Sequence, residues 1–486
     1  MLPNMTPNIA RHKTAIRRHD LSLPVKCLLR DGLINTNTTV FDYGCGHGEN
    51  VELLNGKAIS CSGWDPAFCP DTPLVRSDIV NLGYVINVIE DISERGRALQ
   101  RAWSLADKVL AVSAQIQVHG RGNKCVEFGD GIVTRLGTFQ KYFTQSELKE
   151  YIEAELDAEA IPAALGIYYI FKDEELQQQF LANRYRRRSA APRKRISEIR
   201  FEEHKDLLES LMTAIADFGR LPEPDEFDQA RAVTDIFGSL KRAFALIRRV
   251  TGAEEWKTIH ERRTEDLLVY LALSRFRKRP ALRKLPRRLQ LDIRSFFGSY
   301  KKACDRADEL LFQAGDPDAI DEACKRSPIG KLLPNALYIH ECALESLEPI
   351  LRIYAGCARA YLGEIEDTNI IKLHRFSGKV SYLAYPDFEK DPHPALLRSV
   401  KLNLRSRDLD CYDYSESDNP PILHRKETFL PSDHPLHAKF AKLTRQEERH
   451  GLLEETSTIG TRDGWNVRLK EQGITLRGHR LVRGLS

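Results

Sequence analysis

From Val40 to Gly48 the chain reads Val-Phe-Asp-Tyr-Gly-Cys-Gly-His-Gly, and few folds can use such a run. An apolar start that ends in an acid suits a short strand. Three glycines at alternate positions then stop the strand and admit left-handed backbone. The residues that follow suit a helix. A strand that turns through glycines into a helix is the unit of wound α/β sheets, which bind ligands beyond the carboxyl ends of their strands. Glycine lets backbone approach a ligand closely, and amides at a helix start can meet a carboxylate or phosphate. The turn by itself does not name that ligand.

The surroundings narrow it. Short apolar runs alternate with helix-like stretches from residue 36 to 172, with candidate strands Thr39–Tyr43, Ala58–Trp64, Ile79–Leu82, Val109–Ala114 and Leu165–Phe171. Ser22 ahead of Leu23-Pro24 reads as a helix N-cap, and Thr144 to Glu147 as a capping box opening a helix through Tyr151. Twenty-three residues after Asp42 a second short strand ends in Asp65-Pro66. That is one strand–helix–strand unit, and an acid there can accept hydrogen bonds from both hydroxyls of a ribose. Nicotinamide and flavin sites share the acid but use G-x-G-x-x-G. This chain has D-x-G-x-G-x-G, the class I methyltransferase pattern, whose loop meets the methionine end of S-adenosylmethionine. The expected cofactor contacts are Asp42, Gly44, Cys45, Gly46, Gly48, Asp65 and Pro66, joined by Asn81 and Leu82. A nucleotide oxidoreductase and a purely structural α/β domain stay open as alternatives.

Ser77 to Asp91 is similar to the central methyltransferase strand and the turn after it, which places Asn81 to Tyr84 beside the sulfonium methyl. Asn81-x-x-Tyr84 has the outer letters of the N-P-P-Y motif of amino-directed DNA methyltransferases, without its prolines. The pair either orients a target amine or only shapes the pocket. Pro66 to Ser77 is too short for a helix plus a strand, so the third strand and its adenine contact are expected to be shortened or lost.

Arg11-His12-Lys13-Thr14-Ala15, VFDYGCGHGENV, SGWDP, DIVNLGYVINVIED and FGDGIVTRLGTFQKYFTQSEL together resemble the family of DNA phosphorothioation-associated methyltransferases, over most of the chain. The resemblance implies a bacterial protein tied to systems that replace a DNA backbone oxygen with sulfur. It implies DNA as a partner and proteins of that system as candidate partners. Within it, Phe128 to Phe143 is the candidate substrate region. Asp130 is a candidate general base there, with Arg135 or Lys141 holding an acidic group. The plainer reading is that Thr138–Gln140 and Tyr142-Phe143 pack a lid on the sheet.

The rest of the chain reads differently. Residues 1–180 hold 18 Lys and Arg against 23 Asp and Glu, and the remainder 55 against 46. The expected fold is α/β: a Rossmann-like methyltransferase domain over 1–185, a mainly helical basic domain over 196–365, and a smaller mixed α/β region over 366–486. Asn183–Arg195 reads as an exposed linker with little to bury, Leu207, Leu208, Leu211, Met212 and Ile215 as one helix face, and Lys379–Ala384 as a strand. No internal repeat is evident. Arg275 to Lys302 carries eleven Lys or Arg and one acid, Asp292, with Phe276, Phe296, Phe297 and Tyr300 interleaved. The candidate nucleic-acid contacts are Arg186, Arg187, Arg188, Arg277, Lys278, Arg279, Arg287 and Arg288. The alternative is a solvated helix face over core aromatics. Asn419-Pro420-Pro421 has no glycine turn ahead of it and reads as a rigid loop. Ten scattered cysteines make no C-x-x-C pair, so neither a metal site nor a disulfide framework is expected. No apolar run is long enough to span a membrane, and the polar start lacks a signal-peptide core, so the expected place is the cytoplasm. The leading function is methyl transfer to DNA. The alternatives are a non-catalytic DNA-binding accessory protein and a tRNA or small-molecule methyltransferase.

Overall fold

A computed structural model describes residues 9–118, 126–187, 190–192, 199–365 and 367–483. The chain divides into two compact units, one of Met1–Asp173, Asp321–Ser346 and Cys357–Ser486, the other of Glu174–Ile320 and Leu347–Gly356.

In the first unit, four strands run parallel: β1 (Val40–Tyr43), β2 (Cys61–Trp64), β3 (Ser77–Gly83) and β4 (Ala106–Ser113). Every residue of β1 is buried, as befits a strand covered on both faces. A small sheet of β5 (Val126–Phe128), β6 (Gly131–Val133) and β7 (Phe139–Gln140) follows, then β8 (Ala160–Ala164) and β9 (Ile167–Phe171). The main sheet has the order β2-β1-β3-β4-β9-β8, with β9 antiparallel to both its neighbours. The wound, Rossmann-like α/β expectation holds here. All five expected strands form, with ends shifted by up to three residues. β8 was not expected, because Ala-Ile-Pro-Ala-Ala carries a proline and little apolar bulk. It is tolerated as the last strand of the sheet, where the ladder is irregular between Pro162 and Ala164. Residues 65–76 form no strand or helix, so β2 stays at the edge and the third strand is indeed missing.

Helices α1 (Leu23–Arg30), α2 (Glu49–Asn55), α3 (Ile92–Leu105) and α4 (Gln145–Leu156) belong to this unit. The capping box of α4 is present, Thr144 Oγ1 accepting from the Glu147 amide at 3.1 Å. Leu99 and Ala102 of α3 and Leu148 and Ile152 of α4 share one core with Phe41, Val80, Leu82, Leu110 and Val112 of the strands. The same unit contains an antiparallel meander of six strands: β10 (Lys331–Leu333), β11 (Ala336–His340), β12 (Ile370–His374), β13 (Lys379–Ala384), β14 (Arg398–Asn403) and β15 (Leu409–Asp413). Lys379–Ala384 is the strand expected. The boundary at 365/366 is not, because β10 and β11 pair into this sheet from within the stretch read as helical. The Asn419 loop is structural: its Oδ1 accepts from the Asp463 amide at 2.9 Å.

The second unit is helical, with α5 (Glu174–Asn183), α6 (Ile199–Glu202), α7 (Lys205–Phe218), α8 (Ala230–Phe237), α9 (Leu240–Thr251), α10 (Glu254–Ser274), α11 (Arg287–Phe297) and α12 (Tyr300–Gln313). Leu208, Leu211, Met212 and Ile215 bury against Val233, Phe237, Ile247 and Trp256. The unit starts at Glu174 rather than 196, and Arg187, inside the expected linker, is buried. Contrary to expectation the chain does repeat itself. Phe237-Gly238-Ser239-Leu240-Lys241-Arg242-Ala243 returns sixty residues later as Phe297-Gly298-Ser299-Tyr300-Lys301-Lys302-Ala303. Both copies join two helices through a left-handed glycine (φ 81° and 75°) and an extended serine. Each serine Oγ accepts from the amide three residues on, at 3.2 and 3.3 Å. A seven-residue signature inside divergent helices is easily missed.

Candidate active site

A cavity of about 600 Å³ opens at the carboxyl ends of β1, β2 and β3. Its floor is the glycine turn. Gly44, Gly46 and Gly48 have φ of 82°, 56° and 87°, a backbone that other residues rarely adopt. A Cβ on Gly44 would stand 2.4 Å from Val85 Cγ2, so the turn excludes a side chain there on steric grounds too. The amides of Gly44 and Cys45 donate to the Trp64 carbonyl at 2.7 and 3.1 Å, which fixes the turn to the end of β2.

Asp65 sits at that end and lines the cavity. Its Oδ2 accepts from the Gly46 amide at 3.1 Å, and its Oδ1 from the amides of Ala67 and Phe68 at 2.8 and 3.1 Å. These bonds orient the carboxylate and leave Oδ2, which accepts only one of them, with capacity for a further donor. Phe68 and His47, ring centroids 4.1 Å apart, also line the cavity and bring aromatic rings close to the acid.

Asp42 lines the cavity as expected. It is buried, and its oxygens are taken by Asn81 Nδ2 at 2.7 Å and Asn50 Nδ2 at 3.0 Å. Burial pushes its carboxyl up despite those two donors. Asn50 in turn accepts from the Ser22 amide at 2.8 Å and donates to Ser22 Oγ at 3.0 Å. Asp42 therefore orients its neighbours. One of them, Asn81, is 1% exposed and lines the cavity with an Oδ1 that has no hydrogen-bond partner among the described residues. Tyr84 also lines it, in a left-handed conformation (φ 59°) unusual for a bulky residue. The Tyr84 amide donates to the Ser113 carbonyl at 3.0 Å, holding it there.

Several expected roles are corrected. Leu82 packs in the core and does not line the cavity; its neighbour Gly83 does. Gly48 caps α2 rather than lining the cavity. Pro66 and Cys45 line it as expected. Asp130 is not placed as a base, because Arg95 Nη1 and Lys141 Nζ grip it at 2.7 and 2.9 Å. Partial burial would raise its pKa, yet those hydrogen bonds prevail and hold it at about 2. Lys141 is occupied by the same contact and by Glu147, at 2.7 Å.

The sequence reading also missed the strap that crosses this cavity. Arg11, Thr14, Ala15, Ile16 and Arg18 line it from the N-terminal side. Arg11 grips two carboxylates, Glu90 at 2.8 Å and Glu94 at 2.6 Å. The signal available was an acid pair at i and i+4 opposite an arginine in an otherwise polar N-terminus.

In the second unit, the arginines chosen as nucleic-acid contacts are mostly engaged within the protein. Arg187 binds Asp266 at 2.6 Å and Glu265 at 2.9 Å, and Arg279 binds the Leu271 carbonyl at 2.7 Å and Asp308. Asp217 takes both Arg186 at 3.0 Å and Arg288 at 2.7 Å, and Arg287 pairs at the surface with Asp225. Lys278 closes a short turn in left-handed backbone after Arg277. Arg188 lies outside the described residues. Asp292, the one acid in that basic run, is buried against Arg220. Of the interleaved aromatics, Phe297 is buried and Phe276 exposed.

No family model matches the chain, and no curated protein matches it. Among solved structures it is similar to the 1,6-didemethyltoxoflavin-N1-methyltransferase of Burkholderia thailandensis, crystallised with S-adenosylhomocysteine. Identity there is 15% and the TM-score 0.23, over 34% of this chain and 77% of that one. It is similar also to the magnesium protoporphyrin IX methyltransferase of Synechocystis PCC 6803 (13%, 0.22, over 34% and 93%). A third is an S-adenosylmethionine-dependent methyltransferase of Thermotoga maritima (12%, 0.21, over 34% and 92%). At this identity and TM-score, likeness says nothing of this chain's own chemistry. No helix among the described residues is long and apolar enough to cross a membrane.

Proposed function

We propose that the first unit is an S-adenosylmethionine-dependent methyltransferase whose acceptor is DNA, working beside phosphorothioate modification. The observation that carries the cofactor is the cavity at the ends of three parallel strands, floored by the left-handed glycines Gly44 and Gly46 with Asp65 at its side. The residues present fit that cofactor. Asp65 would take the ribose hydroxyls, the glycine turn the methionine end, and Phe68 with His47 the adenine ring that the missing third strand no longer serves. Asn81, with its unpartnered buried oxygen, and Tyr84 would flank the methyl. When bound, the cofactor supplies a methyl carbon already activated by positive sulfur. The protein's own work is then mainly positioning and exclusion of water, which fits a site with no free general base at Asp130.

DNA as acceptor, and the tie to phosphorothioation, rest on the family resemblance of the quoted motifs. The helical unit adds exposed Lys241, Arg242, Arg294, Lys301 and Lys302, which form no salt bridge among the described residues and are suited to phosphates. The test is transfer of tritium-labelled methyl to phosphorothioated DNA, unmodified DNA and tRNA. Label on DNA is expected. Label on tRNA alone would move the acceptor, and cofactor binding without label on any of them would favour the accessory-protein reading.

A further inference from the structure

A second cavity, about 350 Å³, adjoins the first. Thr14, Ile16, Arg18 and Ser22 of the strap line both, as do Tyr84 and Val88, so the two spaces share a wall. The second cavity is not lined by the glycine turn, and its chemistry is distinct. Among the described residues, three amides line it (Asn87, Gln115 and Gln140), with one cation, Arg18, and no carboxylate.

Asn87 is the informative residue. It is 2% exposed, its Nδ2 donates to Gln140 Oε1 at 3.0 Å, and its Oδ1 has no hydrogen-bond partner among the described residues. A buried acceptor left without a donor is destabilising, so a ligand that brings a donor recovers the loss. The lining also says what that ligand is not. A cationic amine would meet Arg18 and no acid, and a wholly apolar group would strand three amides. A flat group with a donor beside an acceptor on one edge, and apolar faces, satisfies the amides and rests against Ile16, Leu21, Leu23 and Val88. Asn and Gln read such an edge on adenine, and a base in this position must be extruded from a duplex or come from a single strand. Arg18 then stands ready for its phosphate.

We infer that the second cavity binds one nucleobase carrying an exocyclic amine beside a ring nitrogen, adenine or cytosine, with Asn87 Oδ1 accepting from that amine. The inference rests on the methyltransferase reading, because the shared wall is what makes this the acceptor's place. The test uses the full chain saturated with S-adenosylhomocysteine and short fluorescent thymidine-rich single strands. Each has one central adenine, cytosine, hypoxanthine or uracil, and binding is followed by anisotropy. Either adenine should bind about tenfold tighter than hypoxanthine, or cytosine about tenfold tighter than uracil. Asn87→Ala and Gln140→Ala should erase that preference and leave S-adenosylhomocysteine affinity unchanged. If S-adenosylhomocysteine binds and the wild type treats all four bases alike, the inference is overturned and the cofactor reading stands. Should the folded protein not bind S-adenosylhomocysteine at all, both fall. The comparison of bases on the wild type does not depend on the variants folding.

Discussion

Polar side chains meet opposite fates in the two units. Along the two adjoining cavities, Asn81 and Asn87 are buried with oxygens that no group among the described residues satisfies, and Tyr84 keeps a left-handed backbone. In the helical unit, the buried arginines are matched to acids: Arg187 and Arg352 to Asp266, at 2.6 and 2.9 Å, and Arg220 to Asp292 and Glu226, at 2.7 and 2.6 Å. A buried, unmet acceptor on a cavity wall points to a ligand, because selection for stability alone removes it. Matched charge marks architecture. The difference teaches that a dense arginine run in sequence is a poor guide to a polyanion surface until the acids that answer it are placed.

The comparison can be broken first in the helical unit. Asp266→Ala leaves Arg187, Arg263 and Arg352 facing one another in the interior and should cost about 4 kcal/mol, read by urea unfolding. A loss below about 1 kcal/mol would mean those arginines are not structural. Gly44→Ala should cost about 3 kcal/mol, since the new Cβ meets both an unfavourable φ and Val85. Thermal melts check it.

Asp130→Asn should cost about 2 kcal/mol by leaving buried Arg95 and Lys141 less well paired. The sign with pH follows from the depressed carboxyl. The ion pair contributes fully above the ordinary aspartate range near 4, and its contribution is lost as pH falls through about 2. The wild-type-minus-variant difference in unfolding free energy should therefore be flat from pH 5 to 8 and shrink in acid. An inflection near neutrality would restore Asp130 as a base. The smallest effect is Arg287→Ala, whose ion pair with Asp225 is 71% and 56% exposed; the change should stay within about 0.5 kcal/mol.

Local chemistry was legible in the sequence where one residue type has one use. Alternate glycines, Asp65 one strand–helix–strand unit on, and the capping box at Thr144 all stand where they were expected. Partnerships across the chain were not. Nothing near Arg187 in sequence announces Asp266, because that pair is made only once helices pack. Strand β8 and the β10–β11 hairpin were missed for a related reason. β8 is a weak strand former locally, β10 and β11 are short and sit between helices, and in both cases pairing with neighbouring strands decides their state.

The central claim is that the glycine-floored cavity holds S-adenosylmethionine through Asp65. Calorimetric titration of the wild type and of Asp65→Ala with S-adenosylmethionine tests it most directly. Saturable one-to-one binding, weakened about a hundredfold by the substitution, is the predicted result. Equal affinity in the two proteins, or no binding to a folded wild type, would contradict it.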